Sequence, residues 1–449
     1  MGIKEFDVFV IGSGIAGQTV AEDCARNGYK VAIADKREFG GTCANRGCDP
    51  KKVILGFTEV VKKSTDLSNK GIVKLPELDW QEVMKFTCEF TDAVPASTED
   101  NLKELGVTLF HQSPKFIDTN TLSVEGKTVK AKKIVIATGL VPRSLDIEGG
   151  SLALVSDDFL KLDKLPESMI FIGAGYIGME FAHMAARFGV DVTVVESGER
   201  PLSVFDKDMV QCIIRASEDI GIKFIFNAEV NAIEDLRKNK RIYYTVNGKE
   251  NEAKAEIIFN TTGRIPSLEN LALEKGNVSF SDKGIEVNRY LQNPKNKNVY
   301  ACGDVANHAL PLTPFSSRHG KIVAHNLHHG NEMKADFPVT PSVAFTLPNI
   351  ASVGLSEKEA NKKYENIKIM NRDASSFYNA KRINQKIYAY KTIIDKDTER
   401  ILGAHLVGPE AGEIINLFAM AIHNKTTISE IKDMIFTYPS WSGDIQYMF

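Results

Sequence analysis

Two stretches of the chain share one pattern of apolar and polar positions. In each, a short apolar run leads into closely spaced glycines, a longer mixed segment and a second apolar run that ends in an acid. Short apolar runs of this kind are typical of buried strands, and the longer segment between them is typical of a helix. The copies are VFVIGSGIAGQTVAEDCARNGYKVAIAD (residues 8–35) and IFIGAGYIGMEFAHMAARFGVDVTVVE (residues 170–196). The pattern predicts two βαβ units related by an internal duplication.

The glycines of the two copies have identical spacing and predict a phosphate-binding turn in each. The first glycine permits a tight turn, the second lets the backbone approach a pyrophosphate, and the third lets the helix pack close to the sheet. The helix N-terminus then holds the phosphates through its N–H groups and its positive end. These glycines are Gly12, Gly14 and Gly17 in the first copy, and Gly173, Gly175 and Gly178 in the second.

An acidic residue ends each copy at the same distance from the first glycine: Asp35 and Glu196. A carboxylate at this place accepts hydrogen bonds from an adenosine ribose, favours a free 2′-hydroxyl and repels a 2′-phosphate. FAD and NAD carry that free hydroxyl, whereas NADP would prefer an arginine, for which Arg200 is the nearby candidate. We therefore predict one bound FAD and one diffusing NADH, with NADPH as the less favoured reductant.

Of six cysteines, only Cys43 and Cys48 are close together in the sequence, within GGTCANRGCDPKK (residues 40–52). Two cysteines at this spacing can meet at the start of a helix, where the helix N-terminus and nearby lysines stabilise a thiolate. The segment predicts a redox-active pair, with two buried structural cysteines as the alternative. Because there is no second pair and no nearby histidine, we predict no metal site.

The composition is that of a soluble globular protein with several domains. The 449 residues are 43% hydrophobic and 25% charged, with a formal net charge of −3. Without a basic excess or a basic cluster, nucleic acid and anionic lipid are not expected partners. No apolar run approaches the roughly 18 residues of a membrane span, and the N-terminus does not resemble a signal peptide. We expect a cytoplasmic protein with no membrane association.

Together these motifs resemble the glutathione reductase and lipoamide dehydrogenase family, the class I pyridine nucleotide-disulfide oxidoreductases, over essentially the whole chain. The resemblance implies an α/β fold with two Rossmann-like dinucleotide-binding domains plus a C-terminal α+β dimerisation domain, assembled as a homodimer. The implied order is an FAD-binding domain (1–144), an NAD(P)-binding domain (145–265), a central segment completing the FAD site (266–335) and a dimerisation domain (336–449).

The resemblance also implies roles for individual residues. Cys43 would be the interchange thiol that attacks substrate, and Cys48 the charge-transfer thiol beside the flavin. Lys51 would lie at the flavin N5 atom and pair with Glu180, and Tyr176 would cover the nicotinamide pocket. Further cofactor contacts are implied at seven positions in the motifs GTC, ATG, TTGRIP, YACGDVA and LTP: Thr42, Thr138, Gly139, Gly263, Arg264, Asp304 and Thr313.

The chain departs from the family near its C-terminus. There the family has an HPTxSE motif, whose histidine, from the partner subunit, is the acid–base catalyst, and this chain reads TYPSWSG. Tyr438 stands in place of the histidine and Gly443 in place of the glutamate. Because an unperturbed tyrosine has a pKa near 10, it is a poor base at neutral pH. Tyr438 is therefore a candidate for a catalytic or substrate-contact role, with packing alone as the alternative.

We predict an enzyme that passes electrons from NADH through FAD to the Cys43–Cys48 disulfide and on to a small-molecule thiol or disulfide acceptor. Three alternatives stay open. The first is a reductase for a soft metal ion, of the mercuric type, that uses the same cysteine pair. The second is a quinone or oxygen reductase with the cysteines as a relay. The third is a non-catalytic flavin-binding redox sensor.

Overall fold

The computed structural model describes residues 3–308, 310–337 and 339–449. Contacts divide the chain into two compact units, each built from three separate segments. Unit 1 contains Met1–Val53, Met84–Arg143 and Arg264–Asp336. Unit 2 contains Ile54–Val83, Ser144–Gly263 and Phe337–Phe449.

The strands are, in chain order, β1 (Lys4–Ile11), β2 (Val31–Ala34), β3 (Thr108–Phe110), β4 (Lys115–Phe116), β5 (Thr121–Val124), β6 (Lys127–Ile136), β7 (Leu140–Pro142), β8 (Ser168–Ile172), β9 (Asp191–Val195), β10 (Lys223–Ile225), β11 (Ala228–Asp235), β12 (Lys240–Val246), β13 (Lys249–Ala255), β14 (Ile257–Asn260), β15 (Arg264–Pro266), β16 (Phe280–Ser281), β17 (Gly284–Ile285), β18 (Val299–Ala301), β19 (Ser342–Ala344), β20 (Asn349–Gly354), β21 (Ile367–Asp373), β22 (Ala389–Asp395) and β23 (Arg400–Gly408).

The α-helices are α1 (Ile15–Arg26), α2 (Gly41–Arg46), α3 (Cys48–Asp66), α4 (Trp80–Thr91), α5 (Val94–Glu104), α6 (Ser156–Phe159), α7 (Tyr176–Arg187), α8 (Lys207–Glu218), α9 (Thr313–His329), α10 (Glu357–Lys363), α11 (Tyr378–Arg382), α12 (Ala411–Asn424) and α13 (Ile428–Asp433). Within the described residues, short 3-10 turns cover Gly150–Leu152, Gly303–Val305 and Ser442–Tyr447.

Unit 1 is organised around one mixed sheet. Its strands run in the order β3-β2-β1-β6-β5-β4, and β18 pairs with β6. The pairs β3·β2, β2·β1, β1·β6 and β6·β18 are parallel. Their central stretches are apolar and buried, as in the last four residues of β1 and the last three of β6. Phe9 and Ile134 are fully buried in the resulting core.

Unit 2 contains three main sheets. The parallel sheet β10-β9-β8-β14 forms one layer, and the antiparallel sheet β11-β12-β13 follows it in the chain. A five-stranded antiparallel sheet, β19-β20-β23-β22-β21, is built from the C-terminal segment. Helix α12 buries Ile415 and Phe418 in the core of this C-terminal sheet.

The two predicted βαβ units are present as β1–α1–β2 in unit 1 and β8–α7–β9 in unit 2. In both, the two strands pair in parallel and a 12-residue helix connects them. The four domains expected from the sequence, with their bounds, stay a prediction.

Candidate active site

The two glycine turns have the backbone geometry that the sequence pattern requires. Gly12 follows β1 with φ +107, and a Cβ there would lie 2.3 Å from the carbonyl oxygen of Ala137. Gly173 follows β8 with φ +98, and a Cβ there would lie 2.7 Å from the carbonyl oxygen of Thr261. A side chain at either position would be strained and would collide with backbone, so each turn depends on glycine.

Each turn is held by the acid that ends the following strand. The backbone N–H and the hydroxyl of Ser13 both donate to Oδ2 of Asp35 at 2.7 Å. In the second copy, the backbone N–H of Ala174 donates to Oε2 of Glu196 at 2.7 Å. Asp35 Oδ1 also accepts from the N–H of Arg37, and Glu196 Oε1 accepts from the hydroxyl of Ser197 and the N–H of Gly198. Because an ionised carboxylate has about four acceptor positions, each acid retains about one for a ribose.

Unit 1 contains a cleft of about 1130 Å³, called here the N-terminal cleft. Most of the residues predicted to contact FAD line this cleft. The predicted residues that line it are Gly12, Gly14, Asp35, Thr42, Cys43, Thr138, Gly139, Arg264, Asp304 and Thr313. Gly17 lies behind it: a Cβ at Gly17 would lie 1.9 Å from the Gly12 oxygen, so this glycine serves close packing of α1.

The N-terminal cleft fits a dinucleotide. The N-cap of α1 is Gly14, so no side chain caps the helix, and no acid occurs in its first turn. The positive end of the helix is thus suited to a phosphate. Thr138 brings a buried hydroxyl without a hydrogen-bond partner among the described residues. A buried polar group of this kind calls for a partner, which a bound polar ligand would supply.

Asp304 is placed at the cleft by the 3-10 turn Gly303–Val305 that follows β18. Ser316, on α9, donates its hydroxyl to Oδ1 of Asp304 at 3.0 Å. Burial raises the pKa of the Asp304 carboxyl above its ordinary value, although Ser316 and the charge of Arg264 oppose that effect. The second carboxylate oxygen is suited to accept from a hydroxyl of a bound cofactor.

The cysteine pair is formed by a sharp break between two helices. Cys43 lies on α2, Cys48 begins α3, and Gly47 separates them. A Cβ at Gly47 would lie 2.8 Å from the carbonyl oxygen of Thr42, so glycine permits this close approach. Both thiols are free in this structure. The Oγ1 of Thr313 lies 3.3 Å from the Sγ of Cys43 and 3.7 Å from that of Cys48.

The two thiols differ in their affinity for a proton. A hydrogen bond between Cys43 and Cys48, followed by burial, raises the pKa of Cys43 well above its ordinary value. The same hydrogen bond lowers the pKa of Cys48 to about 6, with smaller contributions from Thr313 and from the charge of Lys51. A reduced pair therefore keeps its proton on Cys43 and its negative charge on Cys48.

The remaining predicted residues belong to unit 2. Glu180 is buried on α7, and its Oε1 accepts the backbone N–H of Phe345 at 2.8 Å. Tyr176 begins α7 and is 46% exposed. Gly175 is the N-cap of α7, a Cβ at Gly178 would lie 2.2 Å from the Gly173 oxygen, and Gly263 has φ +131.

Tyr438 is one of the most exposed aromatic residues, at 79%. Its ring lies 6.1 Å from that of Tyr378, and both line an open cleft of about 1160 Å³ in unit 2, called here the C-terminal cleft. Asp444, which follows the position of the family glutamate, is buried and accepts from Asn379 at 3.0 Å and from Tyr388 at 3.3 Å. Its carboxylate is thus committed to the core of the unit.

Three polar contacts of the site were missed by sequence reasoning. Ser13 donates a hydrogen bond to Asp35, and Ser316 donates one to Asp304. A single serine in a sequence does not indicate such a contact. The third is Asp49, whose Oδ1 lies 4.0 Å from the Sγ of Cys43. Its position inside the cysteine motif was a signal that could have found it.

Comparison with known proteins decides the family. Residues 6–320 match the model of the pyridine nucleotide-disulphide oxidoreductases, and residues 340–449 match the dimerisation domain of the same proteins. The chain belongs to this family. The predicted fold class is thereby confirmed, and the chain is a flavoprotein oxidoreductase of a family that uses FAD and NAD(P)H. The matched dimerisation domain supports the predicted homodimer.

Similar proteins differ in the substrate that their names give. The chain is 30% identical to a mercuric reductase of Staphylococcus aureus, over 97% of this chain and 80% of that protein. It is also 30% identical to a dihydrolipoyl dehydrogenase of Chlamydia muridarum, over 97% and 94%. The solved structure of the HOCl-induced flavoprotein disulfide reductase RclA of Escherichia coli has a TM-score of 0.88, 26% identity and coverage of 98% and 99%. The copper(II) complex of RclA also has a TM-score of 0.88, with 25% identity and coverage of 99% of both chains.

The described residues contain neither a membrane-spanning helix nor a metal-binding cluster. No helix among them is both long and apolar enough to span a membrane. No group of three or more histidine, cysteine or acidic side chains in residues 3–308, 310–337 and 339–449 is arranged to hold a metal ion.

Proposed function

We propose that this protein carries electrons from NADH, through FAD and the Cys43–Cys48 pair, to a disulfide acceptor, which is released as thiols. The observation that carries the proposal is the placement of the pair. Cys43 lines the cleft suited to FAD, and the hydroxyl of Thr313 is near both sulfurs. Because the pKa of Cys43 is raised and that of Cys48 is lowered, the two sulfurs of the reduced pair can have different roles.

The residues of the N-terminal cleft would hold FAD in defined positions. The turn at Gly12–Gly17 and the start of α1 would bind the pyrophosphate, Asp35 the adenosine ribose and Asp304 the ribityl chain. When bound, FAD supplies hydride acceptance from the nicotinamide and electron transfer to a disulfide.

The cysteines would divide the chemistry at the acceptor. Cys43 would attack one sulfur of an acceptor disulfide, breaking its S–S bond and forming a mixed disulfide. Cys48, whose pKa of about 6 keeps it a thiolate at neutral pH, would then attack Cys43 and release the second acceptor sulfur. Lys51, whose charge lowers the pKa of Cys48, would help to maintain that thiolate.

NADH is the proposed reductant because of how Glu196 and Arg200 are placed. Glu196 puts a carboxylate where a ribose would bind. Arg200, the one nearby arginine that could favour a 2′-phosphate, donates to the carbonyl oxygens of Ser203 at 2.8 Å and Phe205 at 3.1 Å. Its guanidinium is thus engaged with the backbone of its own loop.

A soft metal ion is the second candidate acceptor. The relatives favour it, because one is a mercuric reductase and another was solved as a copper(II) complex. Thiolates are soft donors with a preference for such ions. Quinones and a sensor role without turnover are kept as outcomes of the test.

An anaerobic NADH-oxidation screen tests the proposal. Purified protein is offered alkyl disulfides, aromatic disulfides, Cu(II) and Hg(II) salts, and quinones, with Cys43→Ser and Cys48→Ser as controls. Disulfide reduction that both variants lose supports the proposal. Quinone reduction that survives in both variants would remove the cysteines from the pathway, and bound FAD without any turnover would indicate a sensor.

A further inference from the structure

Asp49 places a carboxylate close to Cys43, the thiol proposed to attack the acceptor. Its Oδ1 lies 4.0 Å from the Sγ of Cys43, at the outer limit for a hydrogen bond to sulfur. The contact arises because Gly47 turns the chain between α2 and α3, so that the second residue of α3 faces back toward Cys43. Catalytic hydrogen bonds are often long before substrate binds and shorten in the complex.

The chemistry at Cys43 requires such a group. A reduced pair holds its proton on Cys43, the sulfur that must attack, because the hydrogen bond to Cys48 and burial raise the pKa of Cys43. An alkyl thiolate that leaves the acceptor also needs a proton, since its pKa is near 8–9. At the position of the family histidine this chain has Tyr438.

We propose that Asp49 is the acid–base catalyst for Cys43, taking the proton of the attacking thiol and delivering it to the first leaving thiolate. The proposal rests on the proposed disulfide reductase function and adds to it the group that moves the proton.

The reaction starts from the reduced pair, in which Cys43 is a thiol and Cys48 is a thiolate. Asp49 takes the proton as the Cys43 sulfur attacks, the acceptor S–S bond breaks and the Cys43–acceptor S–S bond forms. The first leaving thiolate takes that proton and departs as a thiol. The Cys48 thiolate then attacks Cys43, restores the disulfide and releases a second thiolate, which takes a proton from water. The pair loses two electrons and the acceptor disulfide becomes two thiols.

The surroundings of Asp49 favour this role. Asp49 is exposed, so its carboxylate is accessible to an acceptor, and the partial burial that it does have raises the pKa of the carboxyl above the ordinary value. The titratable groups that face it are Cys43 on α2 and Cys48 on its own helix, and its charge raises the pKa of both. On α3 the next cation is Lys51, which acts on Cys48, and Thr313 on α9 does not titrate.

A purely structural role for Asp49 predicts different behaviour. An acid in the first turn of a helix stabilises the helix through its dipole, and Asp49 is such a residue. That contribution is the same whatever acceptor is present. Delivery of the proton by Asp49, in contrast, matters only where the leaving thiolate is basic enough to need a proton. Loss of Asp49 as the base affects every acceptor, but it is offset by a larger thiolate fraction of Cys43, because the charge of Asp49 raises the pKa of that thiol.

The test measures single-turnover oxidation of NADH-reduced enzyme by an alkyl and an aromatic disulfide. The variants are Asp49→Asn, Asp49→Glu and, as a matched loss of a first-turn acid from another helix, Glu82→Gln on α4. Asp49→Asn should slow the alkyl disulfide by about 10²-fold and leave the aromatic disulfide, whose leaving thiolate is weakly basic, within about threefold. Asp49→Glu should restore part of the loss, and Glu82→Gln should change neither rate.

Alkylation of Cys43 by iodoacetamide supplies a second readout that requires no proton donor. Because the charge of Asp49 raises the pKa of Cys43, Asp49→Asn should alkylate faster at a given pH even while it reduces alkyl disulfides more slowly. Equal slowing with both disulfides, or no slowing with either, would overturn the proposal. Absence of any disulfide oxidation by reduced wild type would instead contradict the proposed function, so the two failures are distinct.

Discussion

The hydroxyl of Thr313 lies 3.3 Å from the sulfur of Cys43. Because it also lies 3.7 Å from Cys48, one hydroxyl at the first residue of α9 contacts both members of the pair. Its hydrogen bonds lower the pKa of both thiols, so it opposes their burial. The hydroxyl that lowers the pKa of both thiols therefore belongs to the first residue of a 17-residue helix.

Replacing Thr313 should shift the titration of Cys48. The pKa of Cys48 is lowered to about 6, so its thiolate is present above that pH and lost as the pH falls through it. Thr313→Val removes a hydrogen bond to the thiolate and should raise the midpoint by about one pH unit. The measurement is a pH titration of the thiolate-to-flavin absorption band of the two-electron-reduced protein. Thr313→Ser keeps the hydroxyl and should titrate like wild type; an unshifted Thr313→Val would contradict the assignment.

The cysteine variants should separate the roles of the two sulfurs. Two-electron reduction of wild type should produce a long-wavelength thiolate-to-flavin band. Cys48→Ser should lack the band, whereas Cys43→Ser should show it without reductant because Cys48 cannot form the disulfide. Anaerobic absorbance titration checks both. Direct passage of wild type to fully reduced flavin, with no band, would refute the redox pair.

The two dinucleotide-binding folds were predictable because their first turns sterically require glycine. At Gly12 and Gly173 a side chain would meet backbone, so sequence alone identifies the turn. The sheet of unit 1 was not predictable in the same way. Its pairing of β18 with β6 joins Tyr300 to Val135, and no local pattern reports a contact between such distant strands.

The same distinction between local sequence pattern and distant contact applies to the candidate site. Cys43 and Cys48 were recognisable from spacing, and Thr313 only from the family motif that contains it. The proximity of Asp49 to Cys43 depends on the backbone direction at Gly47, which the sequence does not specify. Sequence spacing therefore identified the proposed redox pair but missed the carboxylate beside Cys43.

The coenzyme preference should favour NADH. A charge clash between Glu196 and a 2′-phosphate at a partly exposed site costs on the order of 1–3 kcal/mol, or roughly tenfold to a hundredfold in rate. Stopped-flow reduction of the flavin by NADH and by NADPH measures the ratio. Glu196→Gln keeps an acceptor for the N–H of Ala174 and should narrow the ratio. Equal or faster reduction of wild type by NADPH would be incompatible with this interpretation.

Tyr438 should act on acceptor binding. Its side chain is 79% exposed and stands beside Tyr378 at the C-terminal cleft, so its hydroxyl is accessible to a ligand. Loss of one hydrogen bond of about 1 kcal/mol corresponds to roughly fivefold in affinity. Tyr438→Phe should therefore raise KM for the preferred acceptor about fivefold with little change in kcat. Steady-state kinetics across disulfide, metal-ion and quinone acceptors test this, and a variant unchanged with all three would leave Tyr438 a packing role.

Tyr438→His tests whether the family catalyst can be restored by one substitution. The family histidine is oriented by a glutamate, and this chain has Gly443 at that position. The neighbouring Asp444 cannot take over, because Asn379 and Tyr388 already hold its buried carboxylate. The new imidazole would lack an orienting partner, so kcat for glutathione disulfide should rise no more than about threefold, against the 10²–10⁴ that positioned acid–base catalysis typically supplies. A rise of about 10²-fold would show that an unpartnered histidine suffices for acid–base catalysis at this position.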